Sequence, residues 1–413
     1  MAPRQIAPEE LLTVLPKGGR VLLGLCSAES LVLADAVTCA GEALGAMTFT
    51  GIFVPGLNRR TYLANSECRV ETFFQTPELK AAGAAVRFLP LCYADILARL
   101  ESVQIDAALF MATPPDSAGA CSFGPVVDFL GQLWPRIPIR VAHINSRLPR
   151  VTSSCAIPFD RLTAFIEAEQ ELLALPERAD DALSRAIGET VARFVPDGAT
   201  IQTGLGRIPT ACLRALLGRR DLRLHSGLIP EAVCDLQDAG ALAPGVAVTG
   251  GVAIGSRRLY DRVGGAAYRF EPVSYTHAPR TLAALERPIS LNSALEVDLF
   301  GQAYAELGAQ GLMSGPGGAS DFARGVFAGG GLRIVALAAS ASKGKVSRIV
   351  APGEASGLVS LGRFDTDVVA TEFGAADLRG LDHCERAEAL IGVASPDHRE
   401  RLRQSWAQTA ARF

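Results

Sequence analysis

Ser290-Leu291-Asn292-Ser293-Ala294-Leu295-Glu296-Val297-Asp298-Leu299 reads as one strand. Side chains alternate along a strand, so Leu291, Ser293, Leu295, Val297 and Leu299 share one face while Ala294, Glu296 and Asp298 share the other. A carboxylate among such apolar neighbours is unfavourable unless it points into a polar cleft or into water. Gly301 ends the strand, and Ser314-Gly315-Pro316-Gly317-Gly318-Ala319-Ser320-Asp321-Phe322 leads into a helix expected over Asp321–Val326. Strand and turn together offer a carboxylate and bare backbone N–H groups near a helix start. That pairing suits an anionic, phosphate-bearing substrate. The same pattern also fits the wet face of an edge strand followed by an ordinary glycine turn.

Upstream, short apolar strands alternate with helices. Strands are expected over Arg20–Cys26, Met47–Phe53, Glu67–Phe74, Val86–Leu89, Ile105–Met111 and Arg140–Asn145, with Ser27 capping a helix that runs to Ala40. This alternation implies an α/β chain whose parallel sheet is covered on both faces. An amphipathic helix is expected over Asp160–Leu173, after which Leu175-Pro176-Glu177 interrupts the chain. The pattern then restarts with helix Ala179–Phe194, strand Thr200–Gln202, the turn Gly204-Leu205-Gly206 and helix Thr210–Leu217. Strand, glycine turn and helix repeat the order seen over residues 20–40, so two similar α/β units are expected. Gly204-x-Gly206 lacks the third glycine of the dinucleotide fingerprint, with Pro209 in its place, and gives little support to NAD binding.

Composition excludes several classes. The chain has 413 residues and a net charge of −3 with mixed signs, so it lacks the basic footprint of a nucleic-acid binder. No apolar run reaches the length of a membrane span, and Met1-Ala2-Pro3-Arg4-Gln5 opens without a signal-peptide core, so a cytoplasmic protein is expected. Nine scattered cysteines without Cys-x-x-Cys spacing argue for reduced thiols. Neither a Gly-x-Ser-x-Gly elbow nor a His-Glu-x-x-His pair occurs, so serine-triad and zinc hydrolysis lack support and no metal site is expected.

Several longer motifs resemble one family. Asn292–Leu299 with Gly301-Gln302, then Ser314-Gly315-x-Gly317-Gly318 and Asp321-Phe322-x-Arg324-Gly325, are similar to the acetyl-CoA hydrolase/transferase family, which includes acetate and 4-hydroxybutyrate CoA-transferases. Gly344-Lys345-x-Ser347-Arg348-Ile349-Val350, Thr371-Glu372-Phe373-Gly374-x-Ala376-Asp377-Leu378-Arg379-Gly380 and Glu385-Arg386-Ala387-x-Ala389-Leu390-Ile391 continue the resemblance in the same order. It is dense over residues 200–403 and thinner before. Arg207, where the family carries glycine, and Leu332-Arg333 after the glycines depart from the pattern.

The resemblance implies two similar open-sheet domains of the CoA-transferase type, 1–178 and 179–413, with the active site between them. It implies that Glu296 is the nucleophile and that coenzyme A is the acyl-CoA substrate rather than a tightly bound cofactor. Gly374 is then the expected oxyanion donor, with Val273 the second. Gly204 and Gly206 would lie near the acyl-CoA cleft, Gly315, Gly317 and Gly318 against CoA, and His277 beside the cleft. Lys343, Lys345 and Arg348 are candidates for the CoA phosphates, with solvated surface the alternative. Asp298 is read as a structural hydrogen-bonder. The expected partners are acyl-CoA and a small carboxylate, in a homodimer. Acyl-CoA hydrolysis and a non-catalytic CoA-binding role are the alternatives.

Overall fold

The computed structural model describes residues 2–175, 179–308 and 311–412. The chain divides into two compact units: Met1–Pro176 with Gly227–Glu231 and Val248–Thr276, and Glu177–Ser226 with Ala232–Ala247 and His277–Phe413. The units are therefore not contiguous in sequence, whereas domains 1–178 and 179–413 were expected. Side-chain and backbone bonds explain the grouping of the later segments with the first unit. Val252 bridges to Val126, Phe270 to Ser153, and the buried Ser27 hydroxyl donates to the Ala253 carbonyl at 2.7 Å. Pro176 and Glu177 of the expected break lie outside the described residues.

In the first unit Arg4–Gln5, Ala164–Glu167, Ile139–Ile144, Ala107–Ala112, Gly19–Leu23, Met47–Gly51, Arg69–Thr72 and Val86–Phe88 lie side by side in that order. Every pair is parallel. Ala107–Ala112 is buried along its whole length, as a central strand covered on both faces must be. The structure differs from two local expectations. The segment expected as helix Asp160–Leu173 contains the strand Ala164–Glu167 instead, because parallel pairing with Val141–Ile144 buries Ala164, Phe165 and Ile166 in succession. A run of apolar residues that short fits either period. The first helix spans Leu31–Ala40, and Ser30, not Ser27, caps it by accepting from the Leu33 N–H at 3.1 Å.

In the second unit Thr200–Thr203, Pro288–Ser293, Leu332–Ala336 and Val368–Thr371 are neighbouring parallel strands. Arg223 and Leu224 pair alongside Thr200 and Ile201, and Gly374–Asp377 returns antiparallel on Val368–Thr371. The expected single strand 290–299 is in fact two. Pro288–Ser293 belongs to the parallel sheet, and Glu296–Asp298 belongs to a separate four-stranded sheet with Ala303–Tyr304, Ile349–Val350 and Val359–Leu361. The ladder to Leu332–Ala336 ends at Ser293 opposite Ala336, after which the Leu295 N–H turns to the Tyr304 carbonyl at 2.7 Å and the Val297 N–H to the Arg348 carbonyl at 2.8 Å. Val297 and Leu299 remain fully buried, now in a core shared with Val335, Val369 and Leu390. The glycine run before Leu332 has a packing cause: a Cβ on Gly331 would stand 2.1 Å from the Pro288 carbonyl oxygen. No helix among the described residues is long and apolar enough to cross a membrane.

Candidate functional site

Four adjacent parallel strands of the second unit end along one edge. The register sets Thr203 opposite Leu291, Ser293 opposite Ala336, and Ala336 opposite Ala370. The segments leaving that edge are Gly204-Leu205-Gly206, Ala294-Leu295-Glu296, Leu337–Ala339 and Glu372-Phe373-Gly374. In open α/β sheets the carboxyl edge is where ligands bind, because the loops there vary freely over a fixed scaffold. The strand ends are held by Gln202 and Asn292, whose buried amides each donate to the other at 3.3 Å.

Glu296 is half-buried at the start of its short strand. Its carboxylate accepts the Ser356 backbone N–H at 2.8 Å and lies 3.0 Å through each oxygen from the Ser356 hydroxyl. Two residues on, Asp298 is buried and saturated. Its Oδ1 accepts from the backbone N–H groups of Phe300 and Gln302, and its Oδ2 from Gln302 Nε2 and the Tyr304 hydroxyl. All these bonds lie within a hairpin turn, so Asp298 shapes the turn that presents Glu296. Burial, with the Asp298 carboxylate second, pushes the Tyr304 phenol up to about 12, which keeps its hydroxyl a proton donor. Of the two carboxylates read together on one strand face, Glu296 alone keeps capacity for a ligand.

The glycine loop runs into helix Ala319–Ala328, which starts two residues before and ends two residues after the expected Asp321–Val326. Gly318 occupies the N-cap, and a Cβ there would stand 2.6 Å from His277 Nε2. The buried His277 ring also packs on Phe322, with centroids 4.6 Å apart. Burial, and secondarily His225, push its imidazole down to about 3, so it is neutral at physiological pH. His277 thus lies beneath the loop as a support. Gly317 has φ +63°, a conformation that side chains rarely adopt, and Gly315 is buried.

Gly374 opens the return strand of a hairpin whose two-residue tip is Glu372-Phe373. It has φ +132° and open space where a Cβ would be. The Glu372 carboxylate accepts from the Ala339 N–H at 2.9 Å, tying the tip to the next segment along the edge. Lys343 is exposed at φ +57° in the turn between Ser340–Ala341 and Val346–Ser347. The base of that hairpin joins the Glu296 strand, since Arg348 donates its N–H to the Ala339 carbonyl and accepts the Val297 N–H. Gly206, at φ +129°, caps helix Arg207–Arg214, with Gly204 two residues before it. Arg207 is turned to Asp181, whose carboxyl is held down to about 2 by hydrogen bonds from Ser184 and by this guanidinium. Gly204, Gly206, Glu296, Gly315, Gly317, Gly318, Lys343 and Gly374 all belong to the second unit, and Val273 belongs to the first. There Val273 is buried at the head of the short helix Val273–Thr276.

Ser356 was invisible in the sequence. It is exposed in an irregular stretch, Pro352-Gly353-Glu354-Ala355-Ser356-Gly357, that has no period, and only tertiary folding brings it to Glu296. Among the described residues no group of three or more His, Cys, Asp or Glu side chains is placed to hold a metal ion.

Comparison with known proteins identifies the family and the fold. Residues 255–406 match the acetyl-CoA hydrolase/transferase C-terminal domain. The chain is 35% identical over 313 residues to a 4-hydroxybutyrate coenzyme A transferase of Clostridium kluyveri, a match covering 73% of this chain and 72% of that one. RipA from Yersinia pestis superposes with a TM-score of 0.89 at 27% identity over 98% of this chain and 97% of that one. A 4-hydroxybutyrate CoA-transferase from Porphyromonas gingivalis superposes with a TM-score of 0.82 at 29% identity over 99% and 98%. The chain belongs to the acetyl-CoA hydrolase/transferase family and is an enzyme of the CoA-transferase type.

Proposed function

We propose that this enzyme moves CoA from a short-chain acyl-CoA to a carboxylic acid through a thioester formed on Glu296. The observation that carries the proposal is the contrast between the two neighbouring carboxylates. Asp298 is closed off by four hydrogen bonds, whereas Glu296 stands half-buried at the carboxyl edge, bonded among the described residues to Ser356 alone.

In the first step a Glu296 oxygen attacks the thioester carbonyl carbon, the C–S bond breaks, and CoA leaves as thiolate with the electron pair. The product is a mixed anhydride. The thiolate then attacks the glutamyl carbonyl carbon, the anhydride C–O bond breaks, and the donor acid leaves as carboxylate. The glutamyl-CoA thioester is returned to an acceptor carboxylate by the same two steps in reverse. No net proton is taken up. A carboxylate is a weak nucleophile, so the rate must come from positioning and from donors aimed at the developing oxyanion. Ser356 supplies the first, fixing both oxygens of the nucleophile. Gly374 and Val273 are proposed as oxyanion donors, and Gly204, Gly206, Gly315, Gly317, Gly318 and Lys343 as CoA contacts. CoA binding far from the reacting carbon then lowers the barrier at that carbon.

The test is dependence on an acceptor. Acetyl-CoA and longer acyl-CoAs are offered with and without acetate, 4-hydroxybutyrate or succinate, and both free thiol and the new acyl-CoA are followed. New acyl-CoA formed only with an acceptor supports transfer. Thioester loss at an equal rate without any acceptor overturns it in favour of hydrolysis.

A further inference from the structure

The second unit has a depression of about 530 Å³ that the proposed chemistry does not use. It lies at the amino edge of the parallel strands. Arg333 stands at the start of Leu332–Ala336, Asp367 immediately precedes Val368–Thr371, and Leu378 follows the antiparallel return strand. Glu296 follows the opposite, carboxyl ends, and strands of four or five residues separate the edges by about 15 Å.

The lining is rich in arginine, and its charges are unequally matched. Arg333 is held by Asp367 through two bonds of 2.6 and 2.9 Å. Arg363 and Arg386 have no carboxylate partner among the described residues; Arg386 donates instead to the carbonyls of Leu378 and Arg363. Its Nε and the Thr366 hydroxyl are buried without a hydrogen-bond partner among the described residues. Both atoms are enclosed, so the cation this depression offers to a ligand is the exposed Arg363. Burial first, and the Arg363 charge second, depress the Arg386 guanidinium, with Asp367 acting in the opposite direction.

Two aromatic rings flank these cations. Phe364 is 74% exposed and Phe327 62% exposed. Each is backed on one face by a guanidinium, Arg363 at 4.5 Å and Arg333 at 4.4 Å, so each can offer its other face. An exposed guanidinium fork without a carboxylate partner, such as that of Arg363, takes a phosphate, and an exposed phenyl ring beside it takes a planar base.

We infer that this depression binds a nucleoside phosphate, either a free adenine nucleotide or the nucleotide end of a second CoA, at a site separate from Glu296. The inference does not depend on the glutamyl mechanism. The test is equilibrium dialysis of the full-length protein with ADP, with CoA and with orthophosphate, on wild type, Arg363→Glu, Phe364→Ala and Glu296→Ala. Arg363 and Phe364 are both exposed, so their variants should melt as wild type does. Saturable ADP binding that survives Glu296→Ala and weakens about tenfold or more in the other two variants is expected. CoA bound twice per chain in wild type but once in Phe364→Ala would make CoA the source, whereas ADP binding with a single CoA would make it a free nucleotide. No saturable binding of either that responds to Arg363→Glu and Phe364→Ala overturns the site. So does orthophosphate binding as tightly as ADP. A change of sedimentation in the same variants without nucleotide would overturn it too, by identifying the surface as a contact between copies.

Discussion

Ser356 donates its backbone N–H to the Glu296 carboxylate at 2.8 Å and sets its hydroxyl 3.0 Å from both carboxylate oxygens. One residue thus fixes the position and the rotation of the proposed nucleophile. Ser356→Ala keeps the N–H and removes the hydroxyl. A hydrogen bond to a charged group contributes about 1.5–3 kcal/mol, so a ten- to hundredfold fall in kcat is expected. Because Ser356 is exposed, the melting temperature should not move. Ser356→Thr, which retains the hydroxyl, should recover most of the rate. Equal losses in both variants would show that the hydroxyl has no positioning role.

Asp298 should behave in the opposite way, as a stability residue. Asp298→Ala leaves the Phe300 and Gln302 N–H groups and the Tyr304 hydroxyl without their acceptor at a site only 1% exposed. Each buried orphan costs about 1–3 kcal/mol, so a loss of several kcal/mol in denaturant unfolding is expected. Asp298→Asn preserves the shape, and Tyr304 can rotate its proton away, so a smaller loss of about 1–3 kcal/mol should follow. Folded Asp298→Asn protein should retain most of its turnover. A stable but inactive Asp298→Asn enzyme would return this carboxylate to the chemistry.

These two residues also show what was legible beforehand. Alternation correctly marks Glu296 and Asp298 as carboxylates in an apolar stretch. It cannot show that the strand changes sheets at Ala294-Leu295, because that depends on Tyr304 and Arg348 competing for its N–H groups. The repeated strand–helix order was enough for the parallel sheets. The segment around Ala164–Glu167 reads as helix because its three buried residues, Ala164, Phe165 and Ile166, are too short a run to show a period. Ser356 and the Arg363–Phe364 surface lie in irregular segments whose meaning arises only from distant partners.

The neutral state of His277 predicts a pH dependence of stability. Its ordinary value of 6.5 applies to the unfolded chain, and burial lowers it to about 3 in the folded one. Between those values the unfolded chain binds the additional proton, so stability rises with pH across the window and is lost as pH falls from 6.5. The slope contributed is at most about 1.4 kcal/mol per pH unit. His277→Gln removes it, so the difference in unfolding free energy between wild type and variant should shrink as pH falls from 7 to 5. A constant difference over that range would mean that folding leaves the His277 imidazole unshifted. Gly318→Ala is expected to destabilise at every pH, since its Cβ would stand 2.6 Å from the fixed ring.

Glu296 carries the sharpest expectation, because replacing it separates charge, shape and reach. Glu296→Ala removes the proposed nucleophile, and Glu296→Gln keeps the outline and the contact to Ser356 but presents an unreactive amide. Both should fall to background while melting close to wild type, since the side chain is half-buried and lies outside the core. Glu296→Asp retains the carboxylate but withdraws it by about one methylene, and a displacement of order 1 Å costs about a hundredfold. It also breaks the contact with Ser356, so Ser356→Ala should add little to Glu296→Asp, whereas it should cost ten- to hundredfold in wild type. The intermediate itself is tested by quenching the enzyme with acyl-CoA in the absence of acceptor and mapping the adduct by peptide mass spectrometry. A CoA-sized adduct on the peptide containing Glu296, discharged when a carboxylate is added, is the expected result. A Glu296→Ala enzyme with wild-type turnover, or an adduct on any other residue, would remove Glu296 from the mechanism.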